Sequence, residues 1–330
     1  MTLITSRGSP SNVSDRLRYF LPLSNQCQPD RPHAVLVATT LLIASLFFSG
    51  CQTIAPFSQT MRTRAAAARQ WSGNGIEAFR RGAVEDAREC FAKASSQMPR
   101  DHRMAANLAR THFQQGELSQ AIEVMQRAVE VSNSDPELQV ELGEYYLADG
   151  QLIAAQRQVD RALSDNHRLA SAWLLRGRIH AARGNHQTAL GDFQKSLGID
   201  GSREDVQLEI VEAYQSLGDP LRALSAVEQL LEKYPLDRQP ESAILAKSAA
   251  LYQLDQNSSA IEVLTRAADR SDVSSEVFTT LARLQILSGR QTNALRTLTV
   301  ANDRFPGEPQ LAGLLDDLRS TSPTKVASRE

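Results

Sequence analysis

The sequence predicts an all-α fold: a helical solenoid of about seven helix-turn-helix repeats closed by a C-terminal capping helix. The first observation behind this is a Gly followed five residues later by an Ala, in GAVEDA (82–87), GELSQA (116–121), GQLIAA (150–155), GNHQTA (184–189), GDPLRA (218–223) and GRQTNA (289–294). Five of those glycines, Gly82, Gly116, Gly150, Gly184 and Gly218, stand 34 residues apart, and a fixed period of that length is the signature of a repeat architecture. The second is periodicity inside the repeat. Apolar residues fall at positions 4, 7, 8 and 11 and again at 20, 24 and 27, a spacing that draws one apolar stripe on each of two helices.

Each conserved-looking place within the period has a physical use. The Gly at position 15 suits a left-handed residue ending the first helix. Pro220, after Asp219, suits the first turn of a second helix capped by that Asp. Small residues at position 8 (Gly75, Ala109, Gly143, Gly177, Ser248, Ala282) and the Ala at position 20 in all seven repeats (Ala87, Ala121, Ala155, Ala189, Ala223, Ala260, Ala294) let two backbones approach to about 8–10 Å. One hairpin cannot bury both faces of its helices, so neighbours must stack.

With Trp71, Trp173 and Phe278 at position 4, Leu108, Leu142, Ile210 and Leu281 at 7, Tyr146 and Tyr214 at 11, and Pro99, Pro235 and Pro306 at 32, the period and the W…LG…Y…G…A…A…P order resemble the tetratricopeptide repeat. The resemblance implies a right-handed solenoid whose concave face is lined by first-helix positions 2, 5, 6, 9, 12 and 13.

In chain order, a leader with Arg7, Arg16, Arg18 and Arg31 precedes the 15-residue apolar run AVLVATTLLIASLFF (34–48), then Ser49, Gly50 and Cys51. A basic leader, a short apolar core and small residues read as a secretory signal peptide over 1–50. The run is short of the roughly 20 residues of a membrane span. Phe48-Ser49-Gly50-Cys51 resembles a bacterial lipobox, which implies cleavage before Cys51 and lipidation of its thiol. An uncleaved signal anchor and ordinary secretion are the alternatives. Acyl chains on Cys51 would tie the protein to a membrane outside the cytoplasm. Gln52, standing where the enterobacterial family places a retention Asp, points toward the outer membrane.

Residues 51–67 read as a lipidated tether (52–60) and a lead-in helix, and 68–308 as repeats at 68–101, 102–135, 136–169, 170–203, 204–240, 241–274 and 275–308. Gly73 and Gly75 fall inside the first helix, where each costs about 1 kcal/mol, so that helix is expected to fray. The fifth repeat is lengthened, with the surplus in LDRQPES (236–242). Leu311, Leu314, Leu315 and Leu318 put one apolar face on a capping helix at 309–319, and 320–330 reads as a disordered tail.

Composition narrows the function. With 36 basic and 38 acidic side chains and 5% aromatic residues, neither charge nor stacking recommends nucleic acid. Cys27, Cys51 and Cys90 lack CxxC spacing. His33, His102, His112, His167, His180 and His186 form no metal pair, and no catalytic motif occurs. The sequence therefore predicts no enzyme, metal or cofactor.

The resemblance leaves the concave face. It would carry Arg69, Arg80, Arg103, Asn107 and Arg110, with Phe79 and Phe113 between them, then Glu137, Glu141 and Glu144, then Arg178, then Asp205, Glu209 and Glu212. Such charge can be simple solvation, but like charges gathered there repel unless a ligand compensates them, so the acidic triads are the expected partner contacts. The carboxylate clamp of chaperone-binding members is not matched: Asn107 fits, whereas Ser72, Ile76, Glu137 and Glu141 do not. The expected function is a membrane-anchored scaffold binding a protein or peptide partner within a cell-envelope assembly. The alternative is a structural, self-associating component of an envelope machine, as in pilus biogenesis, polysaccharide export or secretion.

Overall fold

The computed structural model describes residues 54–321, and every regular element among them is helical. The helices are α1 (Ile54–Arg80), α2 (Val84–Gln97), α3 (His102–Gln114), α4 (Leu118–Val131), α5 (Pro136–Ala148), α6 (Leu152–Asp165), α7 (Ala170–Ala182), α8 (His186–Ile199), α9 (Glu204–Ser216), α10 (Pro220–Leu231), α11 (Glu241–Gln253), α12 (Asn257–Ala268), α13 (Ser275–Leu287), α14 (Gln291–Arg304) and α15 (Pro309–Thr321). They make seven helix-turn-helix pairs and a final cap. The apolar run, the lipobox and Cys51 lie outside the described residues.

Each pair turns on the same backbone device. The position-15 residue is left-handed in all seven, from Gly82 (φ 77°) to Gly289 (φ 73°), with Asp255 (φ 58°) serving in the sixth. The N–H that follows bonds back across the helix end, as from Ala83 to Ala78 O (3.0 Å) and Arg290 to Gln285 O (2.7 Å). Those bonds satisfy carbonyls that the helix leaves orphaned. Asp219 caps α10 through the Arg222 N–H, with Pro220 in its first turn.

The chain divides into two compact units, meeting at residues 155 and 156 inside α6. In the first, α1 packs on α2, α2 on α3, α3 on α4 and α4 on α5. In the second, consecutive helices from α7 to α15 pack in the same way, and the first helices α9, α11 and α13 also touch their successors. Contact between near neighbours in the chain is the mark of a stack that grows in one direction.

The position-20 alanines are 0% exposed in all seven pairs. A Cβ on Gly75 would lie 2.7 Å from the Phe91 ring, and one on Gly177 2.4 Å from Phe193. Glycine at position 8 is thus the seat of a phenylalanine at position 24. This corrects the expectation of fraying: α1 runs unbroken through Gly73 and Gly75, because burial of Phe91 against Gly75 outweighs the loss in helix propensity. The expected tether is also shorter, since α1 already begins at Ile54.

The surplus before the sixth pair forms a short 3₁₀ turn, Leu236–Arg238, and α11 starts after Pro240. At the far end α15 buries Leu311, Leu315 and Leu318 and half-buries Leu314, and Leu311 and Leu315 join the cluster that holds Phe278 and Leu298. It caps the stack.

Candidate functional site

In the first unit, α3 and α5 bring polar positions together, with Ile76 and Phe79 of α1 beside them. Arg110 on α3 forks onto Glu141 on α5, Nε to Oε1 and Nη2 to Oε2, both at 2.8 Å. Its remaining arm, Nη1, donates to Asn107 Oδ1 at 2.8 Å. Tyr145 donates to Glu141 Oε1 (2.9 Å) and stacks on Phe113 with ring centroids 4.3 Å apart. Burial pushes the Tyr145 phenol well above the usual tyrosine range, and the Glu141 charge adds to the shift. Burial alone would loosen the proton of Arg110, but the charge and bonds of Glu141 outweigh it and raise that pKa.

The second unit repeats the arrangement. Arg178 on α7 donates Nε to Glu209 Oε1 on α9 at 2.7 Å, and its Nη2 lies 4.0 Å from Asp205. Arg203 also forks onto Asp205, at 3.1 and 2.6 Å. Burial works to raise the Asp205 pKa, yet the Arg203 bonds and the charges of Arg203 and Arg178 prevail and lower it.

These pairs correct the expected compensation by a ligand. Glu141 and Glu209 are neutralised by arginines of the chain itself, because position 9 of one first helix abuts position 6 of the next, and Asp205 is neutralised by Arg203, two residues before it. Arg103 is likewise turned onto Asp101, the residue capping α3, and holds that carboxyl below its usual range. Phe113, expected on the open face, is buried. Arg69, Arg80 and Glu137 are exposed, Glu144 is half-buried, and Glu212 is exposed, with Glu144 and Glu212 both engaged by neighbours.

What the face offers a ligand is narrower than a band of charge. A guanidinium only donates, so Arg110 fixes the Asn107 amide with its oxygen inward and its two N–H donors on the other side. Beside that amide is a shallow, mostly apolar pocket lined by Ile76, Phe79, Phe91, Asn107 and Arg110. A rigid donor next to an apolar notch of about 20 Å³ can receive a carbonyl, with an apolar group of the ligand lying across the mouth of the notch.

Sequence reasoning missed Arg176 and Asp192, which join α7 to α8 by two bonds of 2.9 and 2.8 Å, with the Asp192 carboxylate buried and His180 Nε2 3.9 Å away. The readable signal is their separation of 16 residues, which is also that of Gly75 from Phe91 and of Gly177 from Phe193. Cys90 is free and half-buried. Among the described residues no group of His, Cys, Asp and Glu is arranged to hold a metal, and no helix is long and apolar enough to cross a membrane.

Tetratricopeptide-repeat family models match residues 78–139 and 140–204. No curated protein sequence matches the chain. Among solved structures, a tetratricopeptide repeat protein from Parabacteroides merdae is similar over 77% of this chain and 99% of that one, with TM-score 0.60 and 14% identity. The human IFIT1 dimer with PPP-AAAA is similar over 72% of this chain and 59% of that one (TM-score 0.57, 15% identity), and Pseudomonas aeruginosa pilF over 66% and 97% (TM-score 0.51, 16% identity). At such identities the likeness carries the fold alone. Residues 78–204 match tetratricopeptide repeats directly, and the same paired-helix build continues to α15.

Proposed function

We propose that this chain is a scaffold that holds an extended polypeptide on the first-helix face of α1, α3 and α5, and that it is tied to a bacterial envelope membrane through lipid on Cys51. The fold is one consistent with a protein- or peptide-binding scaffold. The observation that carries the binding reading is Asn107: its amide is oriented by Arg110, itself fixed by Glu141, and it stands beside the notch of Ile76 and Phe79. A donor whose orientation is set before the ligand arrives spends less of its binding energy on ordering. The anchor reading rests on the basic leader, the apolar run and Phe48-Ser49-Gly50-Cys51.

Peptides selected from a displayed library on the full-length protein test the first reading. They should lose about tenfold in affinity on Asn107→Ala and on Phe79→Ala, the order expected when a ligand carbonyl loses its donor or an apolar side chain its wall. Undiminished binding by both variants would reject it. Metabolic labelling with palmitate tests the second: label present in the wild type and absent in Cys51→Ser supports the anchor, and no label in either removes it.

A further inference from the structure

Position 4 of the first helix is filled by a large side chain in six of the seven pairs, Trp71, Gln139, Trp173, Gln207, Ile244 and Phe278, and by Ala105 in the second. Where that residue is Trp, a cation from position 26 of the following helix covers the ring. Lys93 lies 4.6 Å from the Trp71 ring centre, and Lys195 lies 4.4 Å from that of Trp173. The Trp173 N–H also donates to the carbonyl of His167 at 2.8 Å, the last residue but two of the preceding period. Around Ala105 the same frame is present without the ring. A cleft of about 230 Å³ opens there, lined by Ala105, by Arg127 at position 26, by Pro99 at the place of His167, and by Val124 and Val131. An apolar cavity of about 150 Å³ is enough to hold benzene, so the space admits an indole.

We propose that this cleft is a socket for the tryptophan side chain of a partner polypeptide, seated over Ala105 with its face against Arg127 and its N–H toward the Pro99 carbonyl. The occupant is argued from the two equivalent sites in which a ring lies under a position-26 cation, Trp71 under Lys93 and Trp173 under Lys195. A second copy of this chain does not supply it. The chain has two tryptophans, and both are already under lysines of their own hairpins. The socket is built from α2, α3 and α4 and does not include the Asn107 notch, so it gives the scaffold a second point of attachment. Cation–π contact and apolar burial are its sources of affinity.

The cleft is also lined by Ser95, Ser96 and His102, which together with Arg127 is the chemistry of an anion site. One titration separates the two. N-acetyl-5-fluorotryptophanamide, followed by fluorine NMR at millimolar concentration, should broaden on adding the full-length protein. Arg127→Ala should weaken that binding about threefold. Ala105→Trp should abolish it while raising Tm, because the ring is then supplied in place. Ala105→Leu, which fills less of the cleft, should weaken it as well, and serves as the control if Ala105→Trp disturbs folding. Broadening that survives Ala105→Trp or Ala105→Leu unchanged, no broadening at all, or inorganic phosphate bound in an Arg127-dependent way without the indole would each overturn the proposal.

Discussion

Arg110 and Glu141, 31 residues apart on the first helices of consecutive hairpins, share two parallel hydrogen bonds of 2.8 Å, and Arg178 and Glu209 stand at the same separation. The side chains of Arg110 and Glu141 are 20% and 13% exposed, so water screens them little. Removing one partner strands a largely desolvated charge. Glu141→Ala is therefore expected to cost about 2–3 kcal/mol in urea unfolding, short of the roughly 3–5 kcal/mol of a fully buried pair. A double-mutant cycle with Arg110→Ala should return a coupling above about 1 kcal/mol. A coupling near zero would mean that the two charges are solvated separately.

Gly177→Ala sets two terms against each other. In the interior of α7, Ala is favoured over Gly by about 1 kcal/mol. Its Cβ, however, would come 2.4 Å from one Phe193 ring carbon and 2.5 Å from another, far inside contact distance, in a region where Gly177 and Phe193 are both buried. Overpacking of that kind costs about 1–3 kcal/mol, so a net loss of stability is expected. Phe193→Leu in the same chain should recover part of it. Thermal unfolding of the single and double variants checks both signs.

How much of this was readable in advance differs between fold and site. The period, the left-handed glycines, the invariant small residues and the apolar face of α15 are local patterns, and each reports a constraint acting within one or two turns of its own residue. The site depends on contacts between hairpins. Arg110 and Glu141 looked like members of opposed charge bands because the offset of 31 residues, which brings position 9 against position 6 of the next helix, appears only when the hairpins stack. Phe113 illustrates the same gap: its position in the repeat assigns it to the open face, and it is buried because Tyr145 of the next first helix stacks over it. Asp192 escaped notice because a lone acid in an amphipathic helix reads as solvated until its partner, Arg176, is brought across the hairpin.

Asp255 does in the sixth turn what glycine does in the other six, at φ 58°. A Cβ makes the left-handed conformation unfavourable, though less so for Asp than for most residues. Asp255→Gly relieves that strain but frees the unfolded chain. Relief should prevail, giving a gain of about 0.5–1 kcal/mol and a small rise in Tm. An unchanged or lower Tm would show that the Asp side chain stabilises the turn.

Acid sensitivity follows from Glu85. Arg88 donates to this carboxylate, and Gln115, at the end of α3, donates to it at 2.7 Å, so Glu85 ties the first hairpin to the second. The Arg88 bond, with Gln115 assisting, lowers its pKa from 4.5 to about 2. The folded value lies below the unfolded one, so its stabilisation is complete above about pH 4.5 and fades as pH falls through about 2. Asp101, Asp205 and Asp272 are shifted in the same direction and reinforce the trend. Tm followed by circular dichroism should therefore fall across that window, and Glu85→Gln should fall less steeply, since it has one fewer carboxylate to protonate. Raising the salt concentration should also flatten the wild-type curve, because Glu85 and Arg88 face water and are open to screening. A variant curve parallel to the wild type would place the acid sensitivity on the other carboxylates.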